Sequence, residues 1–361
     1  MTLFTTASVA RRTATYLWLL MLGSCGPCLG ASLSLATYDM LAERNVAVRM
    51  RDDVVLRADV YQAARNNQRL LILIGTHISG RKIGDVDFGP EALKAPRLFH
   101  LVPCWYDYPL KGVLNRIDRE KPVKFFVMRK NELEETNSWP PAQAVGTEYY
   151  LCSNGSANSL NGDGTLSTEP PLSEPADHFV YDPADPVPTR GVNLCWDAPH
   201  FPPGPFDQCP NEARSDVLVY STPQLKSDVE VTGPLSIDLY ASSSAVDTDF
   251  TGKLVDVWPG GFLRARDRKS PEKPEFITPG DVYRIHIDLW AIGNVFKAGH
   301  RIRLEISSSN FPLFDRNLNT GWDPEFGRRM VKASNAVYHD RDRLSAVILS
   351  VAPARPSSNR P

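Results

Sequence analysis

The residue best placed for chemistry is His77. It follows an apolar run, Leu70-Leu71-Ile72-Leu73-Ile74, and the pair Gly75-Thr76, at the end of what reads as a buried strand. An imidazole in such a place can take a proton from a hydroxyl nucleophile and return it to a leaving group, provided a carboxylate orients the ring. Its sequence neighbours do not complete that set. Ser79 is two residues away, and Asp85 and Asp87 are close enough to His77 in sequence to read as surface loop residues. A nucleophilic serine also needs a tight strand-to-helix turn of the G-x-S-x-G kind, and the chain has no such string. The nearest, G-T-H-I-S-G at 75–80 and N-G-S-A-N-S at 154–159, do not follow a strand and open a helix.

Other candidates point to structure. Cys25 and Cys28 fall near the N-terminus, leaving Cys104, Cys152, Cys195 and Cys209. No further C-x-x-C pair and no His/Cys cluster has zinc spacing, so neither a metal nor a cofactor is expected. Cys195 and Cys209 bracket the loop W-D-A-P-H-F-P-P-G-P-F-D-Q and are the disulfide candidate, a closure worth about 3 kcal/mol if the geometry allows it. Cys104–Cys152 is a weaker pairing. Asp247, Asp249 and Asp256 lack the ligand spacing of a calcium loop and read as solvated strand ends. His300 reads as a turn residue, and His286, alternating with apolar neighbours, should face solvent or the sandwich interface. Trp105, Tyr106, Asp107 and Lys111 read as a packing helix end.

The elements that would hold these residues can be read from pattern. Charge is balanced, 40 Lys plus Arg against 42 Asp plus Glu, so no basic surface for nucleic acid is expected. Thirty prolines point to a loop-rich, largely β chain. Arg11-Arg12 before the run T-A-T-Y-L-W-L-L-M-L reads as an export signal over residues 1–36. Two cleavage styles compete, an ordinary one at Ser34-Leu35-Ala36 and a lipoprotein style that leaves a lipid anchor on Cys25. A secreted or periplasmic location follows, with no integral membrane span once the signal is removed. Residues 45–61 alternate on both sides of Arg51-Asp52-Asp53, as a hairpin does. The runs 70–74 and 123–128 suit strands buried on both faces.

Residues 151–211 hold eleven of the thirty prolines and read as an extended connector. From 214 onward, D-V-L-V-Y, L-S-I-D-L-Y-A, Y-R-I-H-I-D-L-W, R-I-R-L-E-I-S and S-A-V-I-L-S-V alternate. They are separated by turn signals at Thr232-Gly233-Pro234, Pro259-Gly260-Gly261, Pro279-Gly280 and Ala298-Gly299. That pattern predicts an antiparallel, jelly-roll-like sandwich.

Several strings resemble, in order, the CocE/NonD family of serine hydrolases, the esterase and Xaa-Pro dipeptidyl-peptidase group. They are V-R-M-R-D-D-V-V-L-R-A-D-V-Y at 48–61, D-F-G-P-E-A at 87–92, C-W-Y-D-Y-P-L-K-G at 104–112, P-V-K-F-F-V-M at 122–128 and Y-D-P-A-D-P-V-P-T at 181–189. D-T-D-F-T-G-K-L-V-D-V at 247–257, A-G-H-R-I-R-L-E-I-S-S-S-N-F-P at 298–312 and D-R-N-L-N-T-G at 315–321 continue the series. The resemblance implies a signal (1–36), a truncated α/β-hydrolase domain (37–150), a Pro-rich connector (151–211), a C-terminal jelly-roll sandwich of galactose-binding-like type (212–355) and a tail (356–361). It also implies a Ser-His-Asp machine acting on a small ester or peptide, in which His77 occupies the place of the base.

The family pattern there is G-P-W-x-H, whereas this chain has G-T-H, without the Pro-Trp pair. Between Tyr61 and Leu70 there is no room for an elbow, a cap or an acid. A hydrolase sheet needs well over about 150 residues, and Val46 to Trp139 gives fewer than 100. The expectation is therefore an exported, internally shortened relative that is inactive alone. A non-catalytic sandwich that binds a ligand or a partner is the alternative, and self-association or a complementing chain is compatible with either.

Overall fold

The computed structural model describes residues 81–92, 101–191, 202–255, 260–322 and 327–353, together with the strand backbones of 40–49, 55–63 and 71–73. Strands β1 (Met40–Arg49) and β2 (Val55–Ala63) pair antiparallel, the predicted hairpin. The two apolar runs become β3 (Leu71–Leu73) and β6 (Val123–Val127), and these pair in parallel. Helix α1 (Leu101–Lys111) lies between them in sequence. Pro103 falls in its first turn, where a missing N–H breaks no helical bond. Strand β7 (Glu132–Thr136) returns antiparallel to β6. Strands β4 (Lys82–Ile83) and β5 (Val86–Asp87) form a two-residue hairpin around Gly84, whose φ is +59°. A Cβ on Gly84 would sit 2.3 Å from the carbonyl oxygen of Pro205, so only glycine lets this hairpin seat on segment 204–207.

An eleven-stranded sheet dominates the rest. Its members are β8 (Val145–Cys152), β9 (Thr165–Ser167), β10 (Asp177–Tyr181), β11 (Leu218–Ser221), β12 (Val229–Ser243) and β13 (Asp249–Val255). Strands β14 (Gly260–Arg264), β15 (Tyr283–Phe296), β16 (Arg303–Ser307), β17 (Ala333–Tyr338) and β18 (Ala346–Ala352) complete it. The order is β10-β17-β12-β18-β8-β9-β11-β16-β13-β14, and β12 is the spine. One edge of β12 is lined by β15; the other is shared end to end by β18 and then β17. The sheet therefore forks at β12 and closes over one core, in which Ile237, Leu239, Ile285 and Ile287 meet Phe250, Leu254, Leu304 and Ile306. Each such side chain, once buried, contributes about 1.5–3 kcal/mol. Gly252 on β13 leaves room for Ile237, whose Cδ1 would lie 2.2 Å from an added Cβ.

Two expectations about boundaries change. Thr232-Gly233-Pro234 is not a turn. It lies inside the fifteen-residue β12, where the register with β15 slips between Pro234 and Ser236 and Gly233 takes a φ of +144°. Turn and bulge call for the same residues, a flexible glycine and a proline with no N–H to pair. Within the segment read as connector, β9 and β10 belong to the large sheet, which begins at β8.

Among the described residues, the small β3-β6-β7 sheet is hydrogen-bonded to the large one through Met128. The Met128 N–H donates to the Gly293 carbonyl (2.8 Å), and the Val295 N–H donates to the Met128 carbonyl (3.1 Å). Val123, Phe125 and Val127 pack on Val295, and the Phe125 ring meets Trp139 edge-on at 5.3 Å. No helix among the described residues is long and apolar enough to cross a membrane.

Candidate functional site

His77, with Ser79, lies outside the described residues, as does Cys195. Cys209 opens the short helix α2 (Cys209–Glu212) as an exposed free thiol, and its N–H donates to Asp207 Oδ1 at 3.0 Å. Cys104 and Cys152 are free thiols too, so that second pairing is not formed. Asp87 binds the Arg81 guanidinium at 2.9 Å, and Asp85 accepts the Asp207 N–H at 3.2 Å, so both carboxylates fasten the β4–β5 hairpin. Asp107 pairs with Lys111 at 2.6 Å along α1. His286 is exposed, as expected, with Nδ1 2.9 Å from Asp238. His300 follows the Ala298-Gly299 turn, and its carbonyl accepts the Leu225 N–H.

Asp247 and Asp249 are not solvated strand ends: they are 1% and 2% exposed. Asn317 Nδ2 donates to both, at 2.9 and 2.8 Å, and Arg264 donates to Asp249 at 3.0 Å. Burial pushes the Asp249 carboxyl up to about 6 despite these donors, and raises Asp247 as well. Asp256 lies outside the described residues. A second buried set joins Glu212 to Arg303 at 2.7 Å and Lys253 to Glu305 at 3.7 Å, with Glu305 pushed up to about 7 by burial. A cleft of about 560 Å³ between β7 and the large sheet is lined by Lys121, Lys130, Glu132, Glu134, Gln143 and Glu230. Its Lys130 is already paired with Glu134 and Glu132.

One cluster brings serine, histidine and acid together. His339, at the end of β17, is fully buried; its Nε2 lies 2.9 Å from Asp177 Oδ2 and 3.3 Å from Ser153 Oγ. Its Nδ1 lies 3.2 Å from Glu174 Oε2, within ion-pair distance but not aligned for a hydrogen bond. Asp177 Oδ2 also accepts the hydroxyls of Ser153 and Tyr220, each at 2.7 Å, and Oδ1 accepts the Ala157 N–H at 2.8 Å. Burial pushes the Asp177 carboxyl up, but the four donors outweigh it and hold the group below its usual range. For His339, burial pushes downward and the two carboxylates more than offset it, so the ring holds its proton above the ordinary histidine value.

The atoms are those of a triad, but the arrangement is not. In a working triad the hydroxyl faces substrate and the carboxylate sits on the far ring nitrogen. Here Glu174 lies beyond the far nitrogen but is not aligned to bond it. The Ser153 hydroxyl is spent on Asp177, which shares Nε2 with it, and Ser153 and His339 are only 5% and 0% exposed. No substrate carbonyl can reach Oγ, so the cluster ties β8, β10, β11 and β17 together. It spans residues 153 to 339 and has no sequence spacing to betray it. The nearest signal is Asp177-x-Phe179-x-Tyr181, where alternation puts a carboxylate on the apolar face of β10 and so demands buried partners.

With this geometry in hand, the comparisons decide the lineage. Residues 115–348 match the family model described as the X-Pro dipeptidyl-peptidase C-terminal non-catalytic domain. The chain belongs to the CocE/NonD-like family. It is 38% identical to the cocaine esterase of Rhodococcus sp. (strain MB1 Bresler) over 308 residues, 81% of this chain and 53% of that protein. Among solved structures, an aminopeptidase from a marine sediment archaeon, Thaumarchaeota archaeon, superposes with a TM-score of 0.65 at 25% identity. It covers 76% of this chain and 47% of its own. A selenomethionine-labelled α-amino acid ester hydrolase gives 0.64 at 26% identity, with the same coverage. The chain thus spans about half the length of these three relatives. For a CocE/NonD-like chain the matched range is informative. It takes in β6, β7 and the large sheet into β18, and with them every member of the Ser153–Asp177–His339 cluster.

Proposed function

We propose that this chain is the non-catalytic, sheet-forming part of a CocE/NonD-type ester or Xaa-Pro peptide hydrolase, and that alone it turns over neither bond. The observation that carries this reading is the Ser153 hydroxyl, held by Asp177 in a cluster closed to solvent, within a range that matches a non-catalytic domain. The parallel β3–β6 pair with α1 between them in sequence supports reading 37–150 as the remnant of an α/β-hydrolase domain, with His77 as a relic of its base. The forked sheet around β12 supports reading the remainder as a jelly roll. Loss of the nucleophile or base costs on the order of 10⁶ in turnover. A serine-directed fluorophosphonate should leave the protein unlabelled, and p-nitrophenyl acetate should hydrolyse at the buffer rate. A stoichiometric adduct, or a rate abolished by changing His77, defeats the proposal.

A second reading, a binding or interaction module, draws on Trp290 of β15 and Trp322 in the segment between β16 and β17, which are 72% and 69% exposed. A glycan array or a pull-down with the full chain tests it. We also propose export through residues 1–36, leaving either a free mature chain or one lipidated at Cys25. Mass spectrometry of the mature N-terminus distinguishes the two, and an intact leader in the mature protein rejects both.

A further inference from the structure

The His339 cluster holds more than the sheet. Between β9 and β10 runs a strap, residues 168–176 (T-E-P-P-L-S-E-P-A), without helix or strand. Near its end Glu174 reaches inward: Oε2 accepts the Ser153 N–H at 2.8 Å and lies 3.2 Å from His339 Nδ1. Pro175 next to it leans on Gly155, its Cγ 3.2 Å from where a Cβ would be. Pro171 is buried as well, and the rest of the strap faces solvent, with Leu172 81% exposed. Glu174 itself keeps 27% of its side chain exposed, so its carboxylate has a way out to water, whereas Asp177 is fully buried.

The two ring nitrogens are therefore unequal. Nε2 faces Asp177 at 2.9 Å, an oxygen anchored by two further hydroxyls, so the proton there stays. Nδ1 faces the movable Glu174. Facing the ring are Glu174 and Asp177 from the strap side, Ser153 from β8 and Tyr220 from β11. Cys152 and Asp163 act by charge on Tyr220 behind it. On its own element, Asp340 is turned away onto Arg343 at 2.9 Å, and Tyr338 bonds Ser242 at 3.1 Å.

We propose that His339 is a proton-operated latch for strap 168–176: the doubly protonated ring holds Glu174 in, and loss of the Nδ1 proton releases it. With Nδ1 deprotonated, a lone pair faces a carboxylate oxygen at 3.2 Å in a buried setting. That repulsion turns Glu174 outward, breaks its bond to the Ser153 N–H and frees the strap, while Asp177 and β10 stay in place. The sign follows from the ring's raised affinity for its proton. The latch is closed below the ordinary histidine range, near 6.5, and opens as pH rises through the higher folded value.

Hydrogen exchange of the full chain from pH 6 to 9.5, corrected for intrinsic rates, tests this. The Ser153 amide, whose N–H Glu174 accepts, should lose at least tenfold protection across the titration beyond any change shared with the core strand β12. In E174Q the uncharged amide oxygen keeps the Ser153 N–H bond and no longer responds to the charge on the ring, so the Ser153 amide should stay protected throughout. In H339Q the step should vanish. PH-independent protection in the unaltered chain, or a step that persists in E174Q, overturns the proposal. E174Q decides the matter if H339Q fails to fold.

Discussion

Asp177 carries the most consequential side chain in the molecule, because four donors converge on it from β8, β11, β17 and the backbone of Ala157. Removing it leaves a buried imidazolium and two orphaned hydroxyls. Asp177→Ala should cost about 3–5 kcal/mol in chemical denaturation, whereas Ser153→Ala, which deletes one donor from a well-served carboxylate, should cost about 1 kcal/mol. Glu305 behaves in the opposite sense. Burial pushes its carboxyl up to about 7, so the folded state holds a proton that the unfolded chain releases near 4.5. Its contribution to stability is present below that unfolded value and is lost as pH rises through about 7. Urea midpoints measured between pH 5 and 8 should fall for the unaltered chain and fall less for Glu305→Gln.

These residues were hidden for a common reason. Their partners Arg264, Asn317, Lys253 and His339 are remote in sequence, and nothing in D-T-D at 247–249 announces that an arginine on the next strand covers it. Asp177 alternates with Phe179 and Tyr181, but five residues are too short a run for that pattern to stand out.

At the scale of elements, alternation succeeded wherever a strand had one polar and one apolar face. The runs at 216–220, 235–241, 283–290, 301–307 and 345–351 all lie on or across strands of the large sheet. It failed where strands are short and flanked by proline, as for β9 and β10, because three to five residues give too few periods to stand above loop composition. It also failed at Gly233, where a bulge wears the composition of a turn. That glycine is required twice over. Its φ of +144° disfavours any other residue, and a Cβ would come within 2.6 Å of Ser350 Cβ and 3.0 Å of Pro140 Cβ. Gly233→Ala should therefore cost about 2–4 kcal/mol, read as a lowered denaturation midpoint. Gly112→Ala, also at positive φ but with open space around it, should cost only the backbone strain.

At the scale of the molecule, the small sheet and the large one meet, among the described residues, in a seam at Met128, Gly293 and Val295. The seam is a few residues wide, while the large sheet has its own continuous core. The two should part company under stress. Phe125→Ala removes the ring that packs on Trp139 and should raise exchange over 123–136 while leaving the unfolding of the large sheet within about 0.5 kcal/mol.

The forked pairing of β12 has a consequence in time as well as in space. Glu230 of that strand is paired with Ala352, more than a hundred positions downstream. During synthesis the spine therefore waits, bordered on one side only, until residues 346–352 have left the ribosome, and contacts of such long sequence separation close slowly. Through that interval the growing polypeptide presents a long apolar border with nothing beside it, so chaperone dependence and sensitivity to late stop codons are built into the order in which the strands are made.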